Sequence, residues 1–179
     1  LSGHKLYGPK GIGALVVAPG TALAPQLHGG GPEQGLRPGT LPVPLIVGLA
    51  KALELAMADR EARAQRLASL RDQLWQQLQA LGGVHRNGAA SPRLPHNLNV
   101  WIEGVEGSAL HRRLRQGLAV SSGSACSSGE PSHVLQALGL NRTQAAAALR
   151  FGLGRKTSAA EIEAAAQRVR AAVTELRAH

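Results

Sequence analysis

Aromatic residues are almost missing from this chain: two Trp, one Tyr and one Phe, 2% of 179 residues. A core must therefore come from Leu, Val, Ile and Ala. Single-stranded nucleic acid, which is gripped by stacking bases on aromatic rings, finds no platform here. There is one cysteine, Cys126, so no internal disulfide framework can form. No apolar run approaches the roughly 18 residues of a membrane span. Acids are scarce as well, 11 Asp+Glu against 20 Lys+Arg, for a net charge of +9. That excess raises a polyanionic partner, but the cations are mostly Arg interleaved with acids, as in Asp59-Arg60-Glu61-Ala62-Arg63. No dense basic run exists, so solvated helix faces are the reading, with an acidic protein or small anion still compatible. The chain does not open on Met and shows no basic-then-apolar leader. We therefore expect a fragment or a processed product.

What is present is globular: 44% hydrophobic and 17% charged. The length suits one domain or slightly more. Residues 1–13 read as a loop. Residues 12–18, Ile-Gly-Ala-Leu-Val-Val-Ala, read as a buried strand stopped by Pro19-Gly20. Residues 19–42, rich in Gly and Pro, read as an ordered excursion. Residues 43–81 read as one long helix or two abutting ones, with Ile46, Leu49, Leu53 and Met57 and then Leu67, Leu70, Leu74, Leu78 and Leu81 at helical spacing. Gly82-Gly83 ends it. Beyond lie a strand over 97–102, a short helix over 108–116 and a short strand over 118–120 leading into the loop 121–130. A helix capped by Ser132 runs to Leu138, a strand covers 148–153, and the last helix opens on the capping box Ser158–Glu161. The charge density rises near Asp59–Arg66, where we place a domain boundary: residues 1–62 and 63–179.

The glycine clusters exclude two familiar sites. Gly8-Pro9-Lys10-Gly11-Ile12-Gly13 lacks the Gly-Lys-Ser/Thr ending of a phosphate loop, and a strand rather than a helix follows it. His28-Gly29-Gly30-Gly31 would suit an esterase oxyanion loop, but no Gly-x-Ser-x-Gly elbow exists anywhere in the chain. Three single residues stay open between a chemical and a plain role. Lys5, beside Ser2 and His4, is either an imine-forming amine or an exposed lysine. Cys126, within Ser121-Ser122-Gly123-Ser124-Ala125-Cys126-Ser127-Ser128-Gly129, has no large apolar neighbour in sequence, which suits redox or sulfur-transfer chemistry better than core packing. Arg150, in the apolar run Ala148–Leu153, calls for a carboxylate or phosphate ligand, or for an internal salt bridge.

These segments fall into one pattern. Ser2-Gly3-His4-Lys5-Leu6-Tyr7-Gly8-Pro9-Lys10-Gly11-Ile12-Gly13 resembles the cofactor-lysine segment of cysteine desulfurases of the NifS/IscS-like group, in the class V aminotransferase family. His28–Gly31 with Gly35-Leu36-Arg37-Pro38-Gly39-Thr40-Leu41-Pro42 resembles the loop after it. Val120–Cys126 resembles the sulfur-accepting loop. Glu130-Pro131-Ser132-His133-Val134-Leu135 and Arg150-Phe151-Gly152-Leu153-Gly154-Arg155 match landmarks downstream. Order and spacing agree along nearly the whole chain.

The resemblance implies an α/β fold, the C-terminal part of a fold type I pyridoxal 5'-phosphate transferase. Residues 1–62 would close the large cofactor domain, and residues 63–179 would form the small domain. It implies that Lys5 carries pyridoxal 5'-phosphate, that Ser2 and His4 lie near its phosphate, and that Thr40 reaches the phosphate site of a second subunit in a homodimer. Arg150 would bind the carboxylate of L-cysteine, and Cys126 would carry the persulfide to a sulfur acceptor or scaffold protein of iron–sulfur assembly, in the cytoplasm. Two departures qualify this. Only Ser127-Ser128-Gly129 separates Cys126 from the Glu-Pro-Ser landmark, where relatives have a longer tether. The region that precedes the lysine in the family, which stacks on and pairs with the cofactor ring, is not in this sequence. The 179-residue chain alone is therefore expected to hold pyridoxal phosphate weakly and to release little sulfide from cysteine. A lyase acting on selenocysteine or cystine, or an inert dimerisation module, would carry the same motifs.

Overall fold

The computed structural model describes residues 1–121 and 131–178, so Cys126 and most of the loop expected over 121–130 lie outside the described residues. The chain divides into two compact units, Leu1–Arg60 and Glu61–His179.

In the first unit the opening turn and the segment after it pair through their backbones. Gly3 N–H donates to Ile12 O (2.9 Å), Ala14 N–H to Leu1 O (3.0 Å), and the terminal ammonium of Leu1 to Ala14 O (2.6 Å). Within this short ladder Gly3–Leu6 forms one turn of 3-10 helix. Helix α1, Val43–Ala58, starts behind Pro42 with Pro44 in its first turn, where the missing N–H costs nothing. Two glycines let the opening turn lie flat on α1. A Cβ on Gly8 would stand 3.0 Å from the Ala52 Cβ, and one on Gly48 would stand 2.6 Å from the Pro9 ring.

The buried strand expected over 12–18 does not form. Only Gly13 bridges, to Ser2, and Leu15 and Val16 are 77% and 86% exposed. A buried strand needs hydrogen-bonding neighbours on both edges, and beyond Ala14 this segment has none among the described residues. The α1 stripe is also less buried than its spacing suggests: Leu49 and Ala52 are covered, whereas Leu53 and Met57 are exposed.

The second unit is built on a three-stranded antiparallel sheet, β1 (Val84–Arg86), β2 (Asn97–Ile102) and β3 (Ala148–Gly152), in the order β1-β2-β3. Helix α2, Arg60–Gln79, follows α1 after a break at Asp59, so two helices rather than one fill 43–79. Leu67, Leu70, Leu74 and Leu78 of α2 are all buried. They pack on Leu98, Val100 and Ile102 of β2 and on Leu149 and Phe151 of β3. Helices α3 (Gly107–Leu114) and α6 (Ala159–Arg177) complete that core through Leu110, Leu114, Ile162, Val169 and Val173.

Helices α4 (His133–Ala137) and α5 (Arg142–Ala146) cover part of the other sheet face through Leu135 and Ala145, with Trp101 and Ala148 beneath them. The caps read from sequence hold: Ser132 Oγ accepts from Leu135 N–H (3.4 Å), and Ser158 and Glu161 form a reciprocal capping box. A second box, Asn141 with Gln144, starts α5, a helix the hydrophobic spacing does not signal. Arg177, at the end of α6, donates to the carbonyls of Leu81, Gly82 and Glu103, which pins the Gly82-Gly83 turn leading into β1. No strand forms over 118–120; the pairing there reduces to one bridge between Ser121 and Arg150.

Candidate functional site

Of the described sequence-predicted residues, Ser2, His4 and Lys5 come together in the first unit, Thr40 lies elsewhere in that unit, and Arg150 lies in the second. In the first unit, Ser2, His4 and Lys5 share the opening turn. Ser2 Oγ and His4 Nδ1 stand 3.1 Å apart, and both His4 and Lys5 are exposed. The backbone below them is tightly seated: a Cβ on Gly3 would meet Pro9 O at 2.8 Å and Ile12 Cγ2 at 2.9 Å. Tyr7 closes the turn in a left-handed conformation, φ 63°, with its N–H bonded to Gly3 O. An amine, a hydroxyl and an imidazole are thereby held on one exposed turn. That donor set fits a group bearing a carbonyl and a phosphate: the amine condenses with the first, and the other two hydrogen-bond the second. Thr40 is exposed in the extended segment after Gly39, whose φ is 104°, and before α1.

The second place is the sheet face that α4 and α5 leave partly open. Along β2 the side chains alternate, with Leu98, Val100 and Ile102 in the core and Asn97, Asn99 and Trp101 opposite. Arg150 pairs with Asn99 in the register, and it points away from Leu149 and Phe151. Arg150 is therefore exposed, and no internal salt bridge in the apolar layer is needed; strand alternation, not burial, accounts for its place. Its backbone exchanges two hydrogen bonds with Ser121 (3.2 and 2.8 Å), and Nη2 donates to Ser121 Oγ (3.1 Å).

A cleft of about 340 Å³ opens beside it, bounded by Asn87, Arg93, Asn99, Ser132, His133 and Arg150, with Val134 and Leu138 on its apolar wall. At its base Asn87, buried at 7% exposure, donates its amide N–H to Asn99 Oδ1 (2.6 Å). Arg93, Asn87 and Asn99 are lining residues that motif reading overlooks. The alternation of Asn97-Leu98-Asn99 along a strand is the signal for Asn99; Asn87 and Arg93 have none short of the tertiary structure. Arg93 is also electrostatically crowded: burial first, then the neighbouring Arg86 and Arg71 guanidinium groups, lower its pKa, with Asp72 opposing.

The family model described as aminotransferase class-V matches residues 1–165. Cysteine desulfurase IscS of Ectopseudomonas mendocina is 47% identical over 180 residues, covering 98% of this chain and 44% of that protein. Cysteine desulfurase IscS of Edwardsiella ictaluri is 48% identical over 180 residues, with 98% and 44% covered. Among solved structures, a NifS-like protein superposes with a TM-score of 0.85 at 34% identity, over 98% of this chain and 46% of that one. The chain thus spans less than half the length of the relatives it matches.

Proposed function

Because the chain belongs to the class-V aminotransferase family, we propose that it carries the lysine, arginine and cysteine of a cysteine desulfurase that moves sulfur from L-cysteine to Cys126 and leaves L-alanine. In this reading residues 1–62 close the large cofactor domain and residues 63–179 form the small domain. Lys5 holds pyridoxal 5'-phosphate through its amine, Ser2 and His4 donate toward the phosphate, and Thr40 reaches the phosphate of a second subunit, which makes the assembly a homodimer.

When bound, pyridoxal phosphate supplies an electron sink beside the substrate's Cα. The chain's own residues do the rest. Arg150 holds the substrate carboxylate with its planar fork. Lys5 Nζ accepts and returns the Cα proton. The Cys126 thiolate attacks the substrate sulfur: an S–S bond forms, the substrate C–S bond breaks, and the carbon takes up a proton to become the methyl group of alanine. The persulfide then passes to an acceptor or scaffold protein of iron–sulfur assembly. Among the described residues no helix is long and apolar enough to cross a membrane, and the reading takes the site to be cytoplasmic.

One observation carries this most. Ser121 is bonded to Arg150 through backbone and side chain, and Ser132 lines the cleft that Arg150 borders. Cys126 is five residues from Ser121, and a chain of that length reaches at most about 17 Å. That short separation supports the reading in which the thiol reaches the substrate held by Arg150.

The test is covalent mapping on the 179-residue chain. It is incubated with pyridoxal phosphate, reduced with borohydride and mapped by peptide mass. Lys5 is expected to be labelled ahead of Lys10, Lys51 and Lys156, and His4→Ala is expected to remove that preference. In a parallel sample that is not reduced, any sulfur atom gained by mass on addition of L-cysteine is expected at Cys126, at the low occupancy that weak cofactor binding by this chain alone allows. Indiscriminate labelling of the four lysines would refute the cofactor assignment.

A further inference from the structure

Among the described residues, the cleft beside β2 and β3 is lined by two guanidinium groups and no carboxylate. Arg150 has a role in the reading above; Arg93 has none. Its contacts are poor for a cation. Nη1 donates to Ala89 O at 3.4 Å and Nη2 to Asn97 O at 3.3 Å, both long, while Nε is buried with no hydrogen-bond partner among the described residues. The carboxylate acting on it, Asp72, is already held by Arg71, with Nε to Oδ1 at 2.9 Å and Nη2 to Oδ2 at 3.0 Å. Arg86 lies over the Trp75 ring at 5.3 Å and adds a like charge. The charges acting on Arg93 are thus two cations and one acid that is already engaged. A buried guanidinium nitrogen left unpaired is costly, and the fork of this partly exposed side chain is built to meet an anion.

Arg93 and Arg150 line the same cleft. Arg93 is anchored at the Asn97 carbonyl, and Arg150 is the cross-strand partner of Asn99. Asn97 and Asn99 sit on the same face of β2, a two-residue repeat of about 7 Å. Two long guanidinium side chains on the wall of one cleft can both donate to a single oxyanion.

We propose that Arg93 and Arg150 together bind a single carboxylate in this cleft, so that Arg93 is a second carboxylate-binding residue for the substrate; this rests on the reading of Arg150 above. It explains why the structure tolerates a cation there with only two long bonds to carbonyls. It also makes the cleft favour amino acids with a free carboxylate over esters or amides of the same side chain.

The experiment is an acetate titration of the 179-residue chain at constant ionic strength, followed by calorimetry and by the arginine Nε–H resonances in NMR. Acetate is expected to shift the Arg93 and Arg150 Nε–H signals together. Arg93→Gln and Arg150→Gln are each expected to weaken acetate binding about tenfold or more, as loss of a charge-assisted pair implies. Arg113→Gln, which removes an exposed partner of Glu175, should leave it unchanged. Acetamide, which is neutral, should not bind. If Arg93→Gln titrates like the parent chain while Arg150→Gln is weakened, the inference fails and the reading of Arg150 stands. If neither variant is weakened, both fail. Should the Gln variant not fold, the parent chain decides: an Arg93 Nε–H signal that stays still while that of Arg150 moves overturns the proposal.

Discussion

Replacing Gly3 by Ala tests whether the Lys5 turn is held by the packing beneath it. The new Cβ would stand 2.8 Å from Pro9 O, 2.9 Å from Ile12 Cγ2 and 3.1 Å from Ile12 O. Two of these atoms are backbone oxygens, so relief requires the turn and the 9–12 segment to part by about half an ångström. Ile12 O is also the acceptor for Gly3 N–H at 2.9 Å, so that movement stretches a ladder bond. Overpacking of this kind costs about 1–3 kcal/mol. Loss of flexibility in the unfolded chain offsets about 0.4–1 kcal/mol. The net is about 1–2 kcal/mol, or about a 5- to 30-fold rise in local opening.

Amide hydrogen exchange reads this directly. The Gly8 N–H, bonded to Gly3 O, and the Ala14 N–H, bonded to Leu1 O, are expected to exchange faster by that factor. Gly31→Ala, where a Cβ meets nothing within 4 Å, serves as the control in the same unit. Labelling of Lys5 by pyridoxal phosphate should fall in parallel. Unchanged exchange at Gly8 and Ala14 in Gly3→Ala would refute the claim that this packing sets the turn.

Three further outcomes follow from the second unit. Gly107→Ala should destabilise it far more than Gly117→Ala: the first Cβ would lie against the backbone at Ala146 O and Ala147 N (2.9 Å to the latter), the second against the movable end of Arg168, and urea denaturation compares them. Leu78→Ala, which empties a fully buried site between α2 and the sheet, should cost about 2–5 kcal/mol in the same assay. His111, half-buried with Nε2 at 3.1 Å from Ala148 O, has its pKa lowered from 6.5 by burial, which outweighs that bond. The unfolded chain therefore binds a proton at higher pH than the folded one, so stability present above the ordinary histidine value is lost as pH falls through the folded value. His111→Gln should flatten that part of the slope between about pH 7.5 and pH 5, and an unchanged slope would exclude His111 as its source.

Much of the second unit could be read directly. The Leu67–Leu78 stripe, the strand over 97–102, the strand near 148–153 and the Ser158–Glu161 box each carry a local signal, and the structure contains all of them. Local signals suffice there because each element buries the face that its own spacing defines. Helix α5 is short, so its period is too brief to register, although its Asn141–Gln144 box is present. Residues 12–18 mislead for the opposite reason: an apolar run states that a segment wants neighbours and says nothing of whether they are there.

The order and type of the motif residues were determined by the sequence itself: Lys5 beside Ser2 and His4, Arg150 on its strand and Cys126 in its Ser/Gly segment, in a pattern specific enough to point to a family. Spacing along a chain preserves such a pattern however the chain folds. Which groups meet was decided by the tertiary structure alone. Asn87 lies on Asn99 because β1 and β2 pair in one register, and Arg93 and Arg150 share a cleft because a hairpin and a long crossover bring residues 57 positions apart to one sheet face. Side-chain direction on a strand follows from alternation and can be read locally, but proximity across strands depends on register, which only the packed sheet sets.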